Sequence, residues 1–193
     1  MSQNVAGAEA QTCEPLLIAL IGAECTGKTT LARALAAHFS GLWVPEYLRI
    51  FCDLHQRTPR REEQAQVMRV QLEQQAQVLA RARALGCDTI FCDTVPLLTA
   101  VYSDYYFADT SLHASAHAVH GFYALNVLLM PDLPWQSDGL QRQGQDAQSA
   151  VHAKLVHELH IKGYAQVAVS GLAQDRLQAA ILAVQSLSRK TIT

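Results

Sequence analysis

The stretch "GAECTGKTT", Gly22 to Thr30, follows the apolar run "PLLIALI" and leads into the helical stripe Leu31, Leu35 and Phe39. It fits G-x-x-x-x-G-K-[ST] in its proper setting, after a strand and at the opening of a helix. No other feature constrains the fold as strongly. The glycines let successive backbone N–H groups converge on phosphate oxygens at the positive end of the helix. Gly22, Ala23, Glu24, Cys25, Thr26, Gly27, Lys28, Thr29 and Thr30 are therefore expected to hold the phosphates of a nucleoside triphosphate. Lys28 is expected to reach the β- and γ-phosphates, and the Thr29 hydroxyl to ligate Mg2+.

Behind the loop a rhythm of apolar run, turn and helical stretch repeats. Five runs read as buried strands: 16–22, 42–46, 88–93, 126–131 and 166–171. They are continuous rather than alternating, as strands covered on both faces should be. The alternation with helices predicts an α/β fold of the P-loop NTPase type, a parallel sheet with helices on both faces. Residues 1–14 are expected to be a disordered tail, and 15–193 a single domain. Two connections are longer than the fold needs, 95–125 and 132–147, and both follow strand ends. Ligands of open α/β sheets sit beyond those ends, so the segments are candidate substrate and lid elements.

Charge and composition narrow the partners. The net charge is −2, and the only lysines are Lys28, Lys154, Lys162 and Lys190. Arg57, Arg60 and Arg61 form one local cluster, immediately offset by Glu62 and Glu63, which reads as a solvated helix start. Nucleic-acid binding is not expected from such a balance. No apolar run approaches the ~18 residues of a membrane span. The five cysteines form no CxxC, and the N-terminus lacks a secretory pattern, so reduced thiols in the cytoplasm are expected.

Asp93 ends the apolar run "TIFCD", where a Walker B aspartate would serve Mg2+. Pro96 also suits a helix start just beyond it. Asn-Lys-x-Asp, the guanine reader of GTPase switches, is absent. Thr94 stands where motor ATPases usually carry a water-activating glutamate. A small-molecule kinase needs a base, an acceptor pocket and an arginine-bearing lid. Glu46, with Tyr47 and Arg49 beside it in "VPEYLRIF", is a candidate base or hydroxyl anchor; Asp93 is the other. Arg142, between Gly139 and Gly144 and near Asp138, suits a lid. Arg176, five residues after Gly171, is a candidate wall for adenine.

Taken in order, "GAECTGKTT", "VPEYLRIF", "IFCDT" and "PWQSDGLQRQG" resemble the NadR-type ribosylnicotinamide kinase group, also described as an AAA-family-like ATPase domain. The resemblance spans about Leu16 to Leu187 and covers the kinase part alone, without the adenylyltransferase domain of bifunctional relatives. It implies a nucleoside-kinase-like fold with sheet order 2-3-1-4-5. It also implies ATP- and Mg2+-dependent conversion of nicotinamide riboside to nicotinamide mononucleotide. Substrate-side roles would fall on Glu46, Tyr47, Arg49 and Asp93, and lid roles on Asp138 and Arg142. The chain departs from those relatives at Pro45, where they carry tryptophan, and at Gln141, inserted into their D-G-L-R lid. A nucleotide-binding regulatory ATPase, with the polar helix at 63–85 serving a partner, and a kinase of another metabolite are the alternatives.

Three weaker patterns remain. His113, His117 and His120 lie along one helical face, which reads as solvated because no supporting carboxylate can be placed beside it. Tyr102, Tyr105 and Tyr106 read mostly as packing, with one or two in the pocket. Trp43 reads as core.

Overall fold

The computed structural model describes residues 14–133 and 145–190. The expected tail up to Cys13, and the expected lid residues Asp138 and Arg142, lie outside them. Five strands form one sheet: β1 (Leu16–Ile21), β2 (Leu42–Val44), β3 (Thr89–Asp93), β4 (Tyr123–Leu129) and β5 (Gln166–Val169). Their order is β2-β3-β1-β4-β5, and every pair is parallel. The seven α-helices of the described residues are α1 (Lys28–His38), α2 (Tyr47–His55), α3 (Gln64–Leu85), α4 (Pro96–Phe107), α5 (His113–His120), α6 (Gln145–Ile161) and α7 (Ala173–Lys190).

The continuous apolar runs have the cause that the sequence suggests. On β1, Leu17, Ala19 and Ile21 face one core with Ile90, Cys92, Met68, Leu98 and Leu155. The intervening Ile18 and Leu20 face the other, with Phe91, Val127, Leu31, Leu35 and Val184. Successive strand residues point to opposite faces, so a strand roofed on both sides must be apolar throughout. Helices α3, α4 and α6 cover the first face; α1 and α7 cover the second.

Three expectations about elements need correction. The run 95–125 is not a long connection: α4, α5 and the first residues of β4 fill it. The residues Pro96 to Ser103 of α4 are all buried, so this helix has no polar face and shows no amphipathic period. Strand β4 starts at Tyr123, ahead of the run read from Asn126. Strand β2 stops at Val44, because Pro45 has no N–H for the sheet; the chain turns there into α2 with Glu46 at its N-cap. No helix among the described residues is long and apolar enough to cross a membrane.

The topology decides where a ligand can sit. The chain runs outward from β1 through β3 to β2 on one side, and through β4 to β5 on the other. The crevice at this reversal opens beyond the carboxyl end of β1. Register places Leu20 of β1 beside Asp93 of β3 and Val127 of β4, so the Gly22 loop and Asp93 emerge together.

Candidate active site

The loop after β1 is built to point N–H groups inward. Cys25 and Gly27 both have left-handed backbones, φ 59° and 83°; alternating such residues with right-handed ones makes an anion-binding nest. Gly27 is the N-cap of α1, so the helix opens directly from that nest. The first glycine is required by contact rather than by angle: a Cβ on Gly22 would lie 2.8 Å from the Leu129 carbonyl and 3.0 Å from Thr26 Oγ1. Gly22→Ala is therefore expected to push the loop off β4. A strain of about 1–3 kcal/mol translates to roughly 5- to 150-fold in triphosphate affinity, readable by calorimetric titration.

Several contacts pin the loop from behind. Thr26 Oγ1 and Lys28 Nζ both donate to the Ala23 carbonyl, at 2.8 and 3.0 Å. Gln148 on α6 donates to the Glu24 carbonyl at 2.7 Å. The buried Arg176 donates to the carbonyls of Thr26, Gly171 and Met130 at 2.5, 2.8 and 2.9 Å, and it pairs with Asp132. This residue ties the loop to the ends of β4 and β5.

Three cavities meet in front of the loop. The first, 130 Å³, is lined by Cys25 to Thr30 together with Glu46 and Arg49. The largest is 340 Å³, with Leu48, Val67, Tyr102, Tyr106 and Phe107 as apolar wall and Glu24, Arg60, Gln64, Thr94 and Thr99 among its polar groups. A small cavity of 30 Å³, touched by Glu24, Lys28, Glu46 and Arg49, shares residues with both. One side of the arrangement suits phosphates; the other suits a flat, apolar group with a few hydroxyls.

Glu46 stands at the junction, and its setting is specific. It is 8% exposed, and its Oε1 accepts a hydrogen bond from the Thr94 hydroxyl at 2.9 Å. The residues on either side of it are fixed by one buried side chain. Gln71 on α3 accepts from the Tyr47 N–H at 2.7 Å and donates to the Pro45 carbonyl at 3.1 Å. Thr94 itself has φ 71°, a left-handed conformation that is costly for a β-branched residue. Strain of this kind concentrates at functional sites. Gln71→Leu is expected to lower kcat about 10- to 100-fold by misplacing Glu46, with the triphosphate Kd unchanged; steady-state kinetics beside a titration separates the two.

Asp93 is fully buried, and neither carboxylate oxygen accepts a hydrogen bond. Burial and the nearby Glu46 carboxylate push its pKa up from 3.8 to about 6; the charges of Lys28 and Arg49 oppose that shift. Two bare oxygens beside a threonine hydroxyl form the donor set that a hard divalent cation takes.

The expected residues thus fall into groups. The loop, Lys28, Thr29, Glu46, Arg49 and Asp93 come together around the crevice. Tyr47 and Arg176 line none of these three cavities; Tyr47 contributes its backbone N–H, and Arg176 its donors to the loop. Trp43 lies under the Arg33 guanidinium, 4.7 Å from its ring centre, and lines none of the three cavities. Sequence reasoning missed the acceptor-side face of Glu24, where Tyr106 donates to its carboxylate at 3.1 Å. It also missed Thr94, Gln71 and Arg60. The Arg57 guanidinium is engaged by Glu63, and Arg61 by Asp109, leaving Arg60 of that cluster on the cavity wall. The glutamine-rich α3 turns Gln64, Gln71 and Gln75 inward.

Fold and loop together define a P-loop nucleotide-binding domain of the nucleoside- and nucleotide-kinase architecture. A model of an AAA domain family matches residues 17–176, and the chain belongs to that family. Among solved structures it is similar to NadR protein in complex with NR, at 20% identity and TM-score 0.79, covering 91% of this chain and 52% of NadR. Thymidylate kinase from Ehrlichia chaffeensis aligns at 12% identity and TM-score 0.63, covering 91% of this chain and all of that one (100%). Deoxyadenosine kinase from M. mycoides with bound dATP aligns at 11% and 0.60, covering 88% of this chain and 99% of the kinase. The chain spans about half the length of the NadR chain it matches. No curated protein sequence matches it.

Proposed function

We propose that the protein transfers the γ-phosphoryl group of ATP to a hydroxyl of a small nucleoside-like metabolite, with nicotinamide riboside the first choice of acceptor. The observation that carries this reading is the small cavity lined by Glu46, which shares Lys28 and Arg49 with the phosphate cavity and Glu24, Leu48 and Tyr102 with the larger aromatic one. The similar NadR structure holds NR, which accords with that acceptor. So does the cavity chemistry: Tyr102, Tyr106 and the Glu24 carboxylate favour a flat cationic ring such as a pyridinium.

In this account the loop N–H groups hold the triphosphate, and Lys28 swings from the Ala23 carbonyl to its β- and γ-oxygens. Thr29 and Asp93 hold Mg2+, which when bound neutralises developing phosphate charge. Glu46 accepts the proton of the acceptor hydroxyl. The acceptor oxygen forms its bond to the γ-phosphorus as the bridging oxygen to the β-phosphorus departs with ADP. Asp93 is the less suitable base, because its two oxygens face Thr29 and the cation position. Arg49 lines the phosphate cavity and bears on the transferred charge; Arg142 and Asp138 would complete the lid. Arg176, with its donors committed to the loop, offers only its guanidinium plane to adenine.

Thermal shift tests the pairing of the two cavities. A ligand at 100 times its Kd stabilises by ~2.7 kcal/mol, so ATP-Mg2+ and nicotinamide riboside are each expected to raise Tm. Tyr106→Ala is expected to abolish the riboside shift and spare that of ATP. A riboside shift that survives Tyr106→Ala would move the acceptor elsewhere.

A further inference from the structure

The histidine face that the sequence assigns to solvent is not solvated. His113 and His117 on α5, one turn apart, have side chains only 17% and 14% exposed. Glu158 from α6 covers them, and His120 is fully buried against Asn126. His117 Nε2 lies 2.8 Å from Glu158 Oε2, and His113 Nδ1 lies 3.5 Å from the same oxygen. The three ligand atoms fall within 4.8 Å of one another. A tetrahedral zinc site, with bonds of ~2.0–2.1 Å, holds its ligand atoms about 3.3 Å apart. Two sides of the triangle therefore already fit, and the third closes with a small rotation of one ring.

The outer contacts point the same way. Metal-bound histidines give their second nitrogen to a fixed partner. His117 Nδ1 has the Tyr164 hydroxyl at 3.0 Å. His113 Nε2 is buried with no hydrogen bond, and Asp104 Oδ2 stands 3.8 Å from it, itself held by Lys154 at 2.6 Å. Closing the His113 ring onto a metal would bring that nitrogen into bonding range of Asp104.

We propose that His113, His117 and Glu158 bind one Zn2+, with water in the fourth position. The ion would tie α5 to α6 directly and to α4 through Asp104. Because α4 carries Tyr102 and Tyr106, the site would brace the wall of the largest cavity.

The test uses the untagged full chain, stripped with a chelator and titrated with Zn2+ against a chromophoric competitor. One equivalent is expected to bind at sub-micromolar Kd. His113→Ala, His117→Ala and Glu158→Gln are each expected to weaken it about 100-fold or more, and Tyr164→Phe about 10-fold. Lys28→Ala is expected to leave it unchanged. Co2+ in the same position is expected to give tetrahedral absorption bands without a thiolate charge-transfer band. Failure to take up zinc would overturn the proposal, leaving these residues as a hydrogen-bonded ion-pair network. Undiminished uptake by the histidine variants, or a thiolate band with cobalt in the native chain, would overturn it equally.

Discussion

Lys28→Ala is expected to abolish phosphoryl transfer in a protein that remains folded. Lys28 is 7% exposed, its Nζ is tethered to the Ala23 carbonyl, and it lines both small cavities. Losing a charge-assisted hydrogen bond of about 1.5–3 kcal/mol weakens triphosphate binding roughly 10- to 100-fold. The larger loss lies in the transition state, where charge builds on the departing ADP; about 100- to 1,000-fold in kcat follows from removing one such preorganised group. A second effect comes from Asp93, whose ionised form Lys28 favours. The variant loses both the phosphate clamp and part of the cation position. Circular dichroism reports whether the fold is intact, and initial rates at saturating ATP separate the chemical defect from the binding defect.

Asp93→Asn is expected to trade activity for stability. In the free protein this carboxylate is buried, accepts no hydrogen bond and faces Glu46. Its pKa rises from 3.8 to about 6 on folding, so between those values the folded chain holds a proton that the unfolded chain has lost. Stability is thus greatest below the lower value and falls as pH rises through the upper one. Above pH 6 the deficit is on the order of 2–3 kcal/mol. Asparagine removes the charge, so at neutral pH the variant is expected to melt roughly 5–10 °C higher than the parent. It is also expected to lose Mg2+-dependent activity by about 100-fold or more. Melting curves across pH 4–8 check the account, since the parent's slope near pH 6 should vanish in the variant. A variant that melts lower at every pH would show Asp93 to be a structural residue.

The parts legible in the sequence depend on short stretches. The loop announces itself because its glycines, lysine and hydroxyl must be adjacent to work. Asp93 and Glu46 are visible because each follows an apolar run that can only be a strand. The remaining parts depend on distant contacts. Gln71 on α3 fixes the backbone around Glu46 across 24 and 26 residues of chain, and nothing in "VQLEQQ" singles it out. Thr94 reads as a missing catalytic glutamate; its bond to Glu46 requires a left-handed backbone that local sequence does not announce. Glu24 and Tyr106 are 82 residues apart, and Glu158 and His117 are 41 apart, so neither pair has a sequence signature. Of helix α4 only the start at Pro96 is legible, because burial of every residue from Pro96 to Ser103 erases the period by which helices are recognised.

In the proposed reaction the phosphate leaves ATP for an acceptor held beside Glu46, rather than for water. Coupled measurement of ADP release and phosphorylated product, with ATP-Mg2+ and a panel of nucleosides that includes nicotinamide riboside, tests it most directly. The predicted result is ADP formed only in the presence of an acceptor, in equal amount with phosphorylated riboside, and abolished in Glu46→Gln. ADP released at the same rate with and without acceptor, and insensitive to Glu46→Gln, would contradict it and make the protein an ATPase.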